Sequence, residues 1–119
     1  MAITATYFKN KVKADEYVSV SGTATSTAAA ATINKQVGKI TTEALTTAAG
    51  ATYTMTLTNS LIAATSAVFV SVGKGTATTG EPVVQFVTPA AGSVVILIRN
   101  VSAAGALNGT ITIDFLVVN

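Results

Sequence analysis

Hydrophobic and polar positions alternate along most of this chain. From 52 to 58, Tyr53, Met55 and Leu57 fall on one side and Thr52, Thr54, Thr56 and Thr58 on the other. A period of two is the signature of a half-buried strand. Near the end, Ile111, Ile113, Phe115 and Val117 alternate with Thr110, Thr112 and Asp114 in the same way. Residues 67–73 place Val68, Val70 and Val72 on one face, and residues 82–88 and 93–101 are apolar runs of strand length rich in β-branched side chains. Thr88-Pro89-Ala90-Ala91-Gly92 has the length and residues of a hairpin link. Further turn signals stand at Ala48-Ala49-Gly50, Gly73-Lys74-Gly75, Thr79-Gly80-Glu81-Pro82 and Ala103-Ala104-Gly105. Strands therefore recur every 8–15 residues from position 36 onward. That spacing predicts an all-β fold, a jelly-roll-like antiparallel β-sandwich, rather than βαβ units. No helical period extends over three turns; at most one short turn is expected at residues 41–45.

Composition and charge sharpen this picture. The 119 residues include 21 Thr, 21 Ala and 15 Val, and only 10% are charged, against about 25% in an ordinary soluble domain. Cys and His are both absent, which excludes disulfides, thiolate or imidazole metal sites and the usual nucleophile–base pairs. The formal charge of +2 is uneven. Residues 1–40 carry Lys9, Lys11, Lys13, Lys35 and Lys39 against Asp15 and Glu16, a balance of +3, whereas residues 41–119 sum to −1. The chain accordingly divides into an N-terminal arm or loosely attached strands over 1–35 and a β-sandwich body over 36–119. The alternative for residues 14–33 is that they add two more strands to the body. At the start, Ile3, Tyr7 and Phe8 precede the lysines, the reverse of the order in a secretory signal. No apolar run approaches the roughly 20 residues of a membrane-spanning helix. Assembly in a cytoplasm, without a membrane partner, is expected.

Candidate chemistry is sparse. The five acids are Asp15, Glu16, Glu43, Glu81 and Asp114, and no spacing pairs two of them in the manner of an acid–base site. Gly73-Lys74-Gly75-Thr76 lacks the spacing of a phosphate loop and a helix to follow it, and reads as a hairpin loop. Asn100-Val101-Ser102 and Asn108-Gly109-Thr110 match the glycosylation triplet by chance in a Thr-rich chain. No catalytic residue, metal ligand or cofactor is expected. The one interaction segment is Ile3, Tyr7, Phe8, Lys9, Lys11 and Lys13, an arm with alternating positive charge. It suits docking onto a protein better than binding nucleic acid, which calls for a broader basic stripe.

Outward positions of the body are mostly Thr, Ser and Ala. A free monomer normally relies on surface charge, whereas interface cores are depleted of it. A homo-oligomer docked on a larger assembly is the reading this supports. The stretch Gly38-Lys39-Ile40-Thr41-Thr42-Glu43-Ala44-Leu45-Thr46-Thr47-Ala48-Ala49-Gly50, with Thr56-Leu57-Thr58-Asn59-Ser60, resembles small virion proteins of tailed bacteriophages. So do Ala64-Thr65-Ser66-Ala67-Val68-Phe69-Val70, Gly92-Ser93-Val94-Val95-Ile96 with Asn100, and the closing Leu107-Asn108-Gly109-Thr110-Ile111-Thr112-Ile113-Asp114-Phe115. The likeness is to capsid decoration (cement) proteins and to β-rich heads of phage fibres, over about residues 36–119. It implies a jelly-roll body, a homotrimer, bound to the major capsid protein on the outside of the shell, with a terminal arm reaching across neighbouring capsid subunits. Localisation would be the virion surface. The alternatives are a fibre or spike domain that binds a host receptor or glycan, and a cellular β-sandwich binding module.

Overall fold

A computed structural model describes residues 21–119. Eight strands follow in order: β1 (Ser21–Thr25), β2 (Ala30–Thr32), β3 (Val37–Thr41), β4 (Thr52–Thr58), β5 (Ala67–Lys74), β6 (Pro82–Ala90), β7 (Ser93–Asn100) and β8 (Ile111–Val118). No helix occurs among the described residues, and residues 41–45 form an extended link rather than a helical turn. Two four-stranded sheets, β1-β3-β8-β5 and β2-β4-β7-β6, face each other as a sandwich. Strands β3 to β8 wrap as a rolled-up hairpin: β3 lies against β8 in one sheet, β4 against β7 in the other, and β5 and β6 stand side by side at the ends of the two sheets, not hydrogen-bonded to each other. This is the jelly-roll arrangement the strand spacing predicts, here with six strands.

Strands β1 and β2 extend the roll. Their connection crosses from one sheet to the other as the β3–β4 connection does, so β1 runs parallel to β3 and β2 parallel to β4. The other four pairings are antiparallel. An antiparallel sandwich was the expectation; the two parallel pairs follow from this doubled crossover. Residues 21–32 are thus two edge strands of the sandwich.

The core lies where the alternation puts it. Tyr53, Met55 and Leu57 face Ile98, Ile96 and Val94 in register, and Ile40, Ile111, Ile113, Phe115 and Val117 come from the opposite sheet. Met55, Leu57, Val94, Ile96, Ile98, Ile111, Ile113 and Val117 are wholly enclosed. Gly38 is required by this packing, since a Cβ there would come within 2.6 Å of the Phe115 ring. Asn100, fully buried at the end of β7, ties three loops together. Its amide donates to the carbonyls of Thr47 (3.1 Å) and Gly105 (2.8 Å). Its carbonyl accepts from the amides of Glu81 (2.9 Å) and Ser102 (3.1 Å). A side chain so placed is no glycosylation acceptor.

Candidate interaction surface

The segment singled out by sequence, Ile3, Tyr7, Phe8, Lys9, Lys11 and Lys13, lies outside the described residues. What the structure supplies is the two outer faces of the sandwich.

Register fixes the rows on each outer face. Across β1-β3-β8-β5 the outward rows are Ser21–Val37–Leu116–Phe69, Thr23–Lys39–Asp114–Ser71 and Thr25–Thr41–Thr112–Gly73. Across β2-β4-β7-β6 they include Thr54–Leu97–Phe86 and Ala30–Thr56–Val95–Thr88, with Thr52–Arg99–Val83 at one end. Lys39, Asp114 and Arg99 are the charged side chains these rows contain. Lys39 and Asp114 form an ion pair at 2.9 Å. With both side chains about half exposed (52% and 45%), such a pair contributes at most about 1 kcal/mol. Large apolar groups are exposed instead: Phe69 (62%) beside Leu116 and Val118, and Phe86 (61%) beside Val83 and Val95. The depression lined by Phe69, Ser71, Asp114 and Leu116 is shallow, with a volume of about 290 Å³. These are open faces rather than enclosed ligand sites.

Sequence patterning missed Phe69 and Phe86 as surface residues. The signal was present in β5, whose Ala-Val-Phe-Val-Ser-Val run is apolar on both faces. In β6 a bulge between Val84 and Phe86 shifts the register at Gln85 and turns Phe86 outward.

Of the five acids, Glu43, Glu81 and Asp114 lie among the described residues. Among the described residues no three of Asp and Glu come together as metal ligands. Glu43 instead closes a polar cluster. Its carboxylate accepts hydrogen bonds from the Ser26 hydroxyl, from the Ala29 amide (2.9 Å) and from the Tyr53 hydroxyl, 3.1 Å from each oxygen. The Glu43 amide in turn donates to Ser26 Oγ at 3.2 Å. Burial alone would raise the Glu43 pKa. The bonds from Ser26, from the backbone of Glu43 and Ala29 and from Tyr53 outweigh it and hold the carboxyl below its ordinary value of 4.5. Tyr53 is pushed up to about 12, chiefly by burial; the Ser26 hydrogen bond opposes this, and the neighbouring Glu43 charge and its hydrogen bond add to it. The lowered pKa favours the ionised carboxylate as an acceptor of these hydrogen bonds, and Ser26 beside it is buried. The cluster clasps the β1–β2 turn to β4.

Gly73-Lys74-Gly75-Thr76 is not the hairpin loop its sequence suggests. It leads from β5 across to the other sheet. Its amides are occupied by Thr110: Gly75 and Ala77 donate to the Thr110 carbonyl (3.0 and 3.1 Å), and Thr76 donates to Thr110 Oγ1 (2.9 Å). Asn108, the other glycosylation-type asparagine, receives the amides of Thr78 and Thr79 at 2.7 and 3.0 Å and holds the same crossover.

The chain matches no protein-family model, no curated protein and no solved structure. No helix among the described residues is long and apolar enough to cross a membrane.

Proposed function

We propose that this protein is a structural virion component that binds the outside of a phage capsid as an oligomer and reinforces it. One observation carries the reading: both faces of the sandwich expose aromatic and aliphatic groups within fields of Thr, Ser and Ala, and almost without charge. Contiguous exposed apolar surface marks sites of association, and uncharged flat surface is what the core of a protein interface requires. The sequence resemblance to capsid decoration proteins names a partner of this geometry, the major capsid protein. The arm residues Ile3, Tyr7, Phe8, Lys9, Lys11 and Lys13 would add a charged contact on the shell.

The mechanism is additive binding. Each oligomer spans several shell subunits, and once one contact forms the others act at high effective concentration. The joined subunits then separate less readily under internal DNA pressure or heat. The proposal predicts that virions lacking the protein release DNA at a lower temperature than virions carrying it. Equal release temperatures would contradict it.

A further inference from the structure

We infer that β5 is a pairing edge that joins two copies of this chain across a two-fold axis. Both sheets end at the same side of the sandwich, in β5 and β6. The two edges differ. β6 contains Pro82 and Pro89 and a bulge at Gln85, features that block strand addition. β5 is eight residues long with no proline or bulge, and Lys74 at its end is its one charge. At the far sides, β2 has three residues and β1 five. Among the described strands, β5 is the long edge without proline or bulge, and β8 is the one described strand hydrogen-bonded to it; β6 stands beside it in the other sheet.

Hydrogen-bond parity identifies the unpaired groups. In an antiparallel strand the N–H and C=O of one residue point to the same side, and successive residues alternate. The Val117 amide donates to Gln36 and the Ile111 carbonyl accepts from Thr42, so the odd positions of β8 face β3. Its even positions face β5, where Leu116, Asp114 and Thr112 are in register with Phe69, Ser71 and Gly73. The backbone groups of Val68, Val70 and Val72 therefore point out of the sheet.

That edge is complementary to itself. Antiparallel pairing about Val70 sets Val68 opposite Val72 and Val70 opposite its own copy, so every outward group of the three valines is paired. A two-fold contact of this kind closes on itself. The side chains agree. Inward positions of β4, β7 and β8 are almost wholly enclosed, but the inward valines 68, 70 and 72 of β5 and 84 and 87 of β6 remain only partly buried. A second copy at the β5 edge covers this open side and the adjoining Phe69. The inference stands on the edge geometry and is independent of the capsid proposal.

The test is the mass of the full-length protein in solution at micromolar concentration, with amide exchange as a second reading. The parent is expected to run at twice the 11.9 kDa chain mass, with the amides of Val68, Val70 and Val72 more protected as concentration rises. Val70→Pro removes an outward N–H that β8 does not use, so it should halve the mass and leave the circular dichroism unchanged. Phe69→Asp, at an exposed position, should do the same if the proline variant fails to fold. A parent that is monomeric overturns the inference, including the case in which the chain's own residues 1–20 cover β5. A three-fold particle overturns it too, while leaving the capsid proposal standing. Variants that fold and keep the parent mass also overturn it.

Discussion

Glu43 links three separate parts of the chain, and its charge state should be visible in the stability of the whole. Its folded pKa lies below 4.5, so its contribution is present above the unfolded value and is lost as pH falls through the lowered folded value. Thermal melting followed downward from pH 4.5 should show this loss, and Glu43→Gln should flatten that part of the profile while lowering the melting temperature at neutral pH. Tyr53 has the opposite sign. Its folded pKa, raised to about 12 from 10.0, stabilises the fold below pH 10 and ceases to do so as pH rises toward 12. A spectroscopic titration of the tyrosines should contain one late component, absent in Tyr53→Phe. The turn that this cluster holds is itself strained. Ala28 and Ala29 have φ of 50° and 60°, the left-handed region that costs an alanine about 1–2 kcal/mol. Ala28 is exposed, so Ala28→Gly relieves strain without losing packing and should raise stability by roughly 0.5–1 kcal/mol, after glycine's greater unfolded freedom is subtracted. A melting temperature unchanged or lowered in that variant would contradict this account of the turn.

The strands with large inward side chains were legible from sequence, and the ones without them were not. Alternation located β4 and β8 to within a residue or two because Tyr53, Met55, Leu57, Ile111, Ile113 and Phe115 stand at every second position, and β7 was located as an apolar, β-branched run of strand length. Strand β1 reads Ser-Gly-Thr-Ala-Thr; its inward positions, Gly22 and Ala24, are small. At Gly22 this is enforced by Ile33, whose side chain lies 2.5 Å from where a Cβ would sit. A strand whose inward residues must be small leaves no hydrophobic period to read. The Ser26–Glu43–Tyr53 cluster was likewise hidden, since its members come from separate segments and Tyr53 reads as an ordinary core residue until its hydroxyl is placed. Element packing yields a direct prediction at Gly38. Gly38→Ala drives a methyl into the Phe115 ring and should cost about 1–3 kcal/mol, measured by denaturant unfolding. An unchanged midpoint would show that β3 and β8 can separate at this point.

On the scale of the whole molecule, a low-charge sandwich presents two apolar-dotted faces, the feature the proposed function uses, and a β5 edge, the feature the pairing inference uses. Sequence pointed to them through composition: Thr and Ala on outward positions imply a covered surface. The particular residues, Phe69 and Phe86, needed the register and the β6 bulge to be placed. The arm adds a prediction of its own. Replacing Lys9, Lys11 and Lys13 together by Glu in the full chain should weaken attachment to capsids, with the melting temperature of the free protein unchanged; equal attachment would remove the arm from the contact. The central claim is location on the virion, and cryo-electron microscopy of particles carrying this chain measures it directly. The account predicts β-sandwich density bound to the outer surface of the capsid shell, contacting several capsid subunits. Density confined to the tail tip or fibres, with a bare shell, would contradict it.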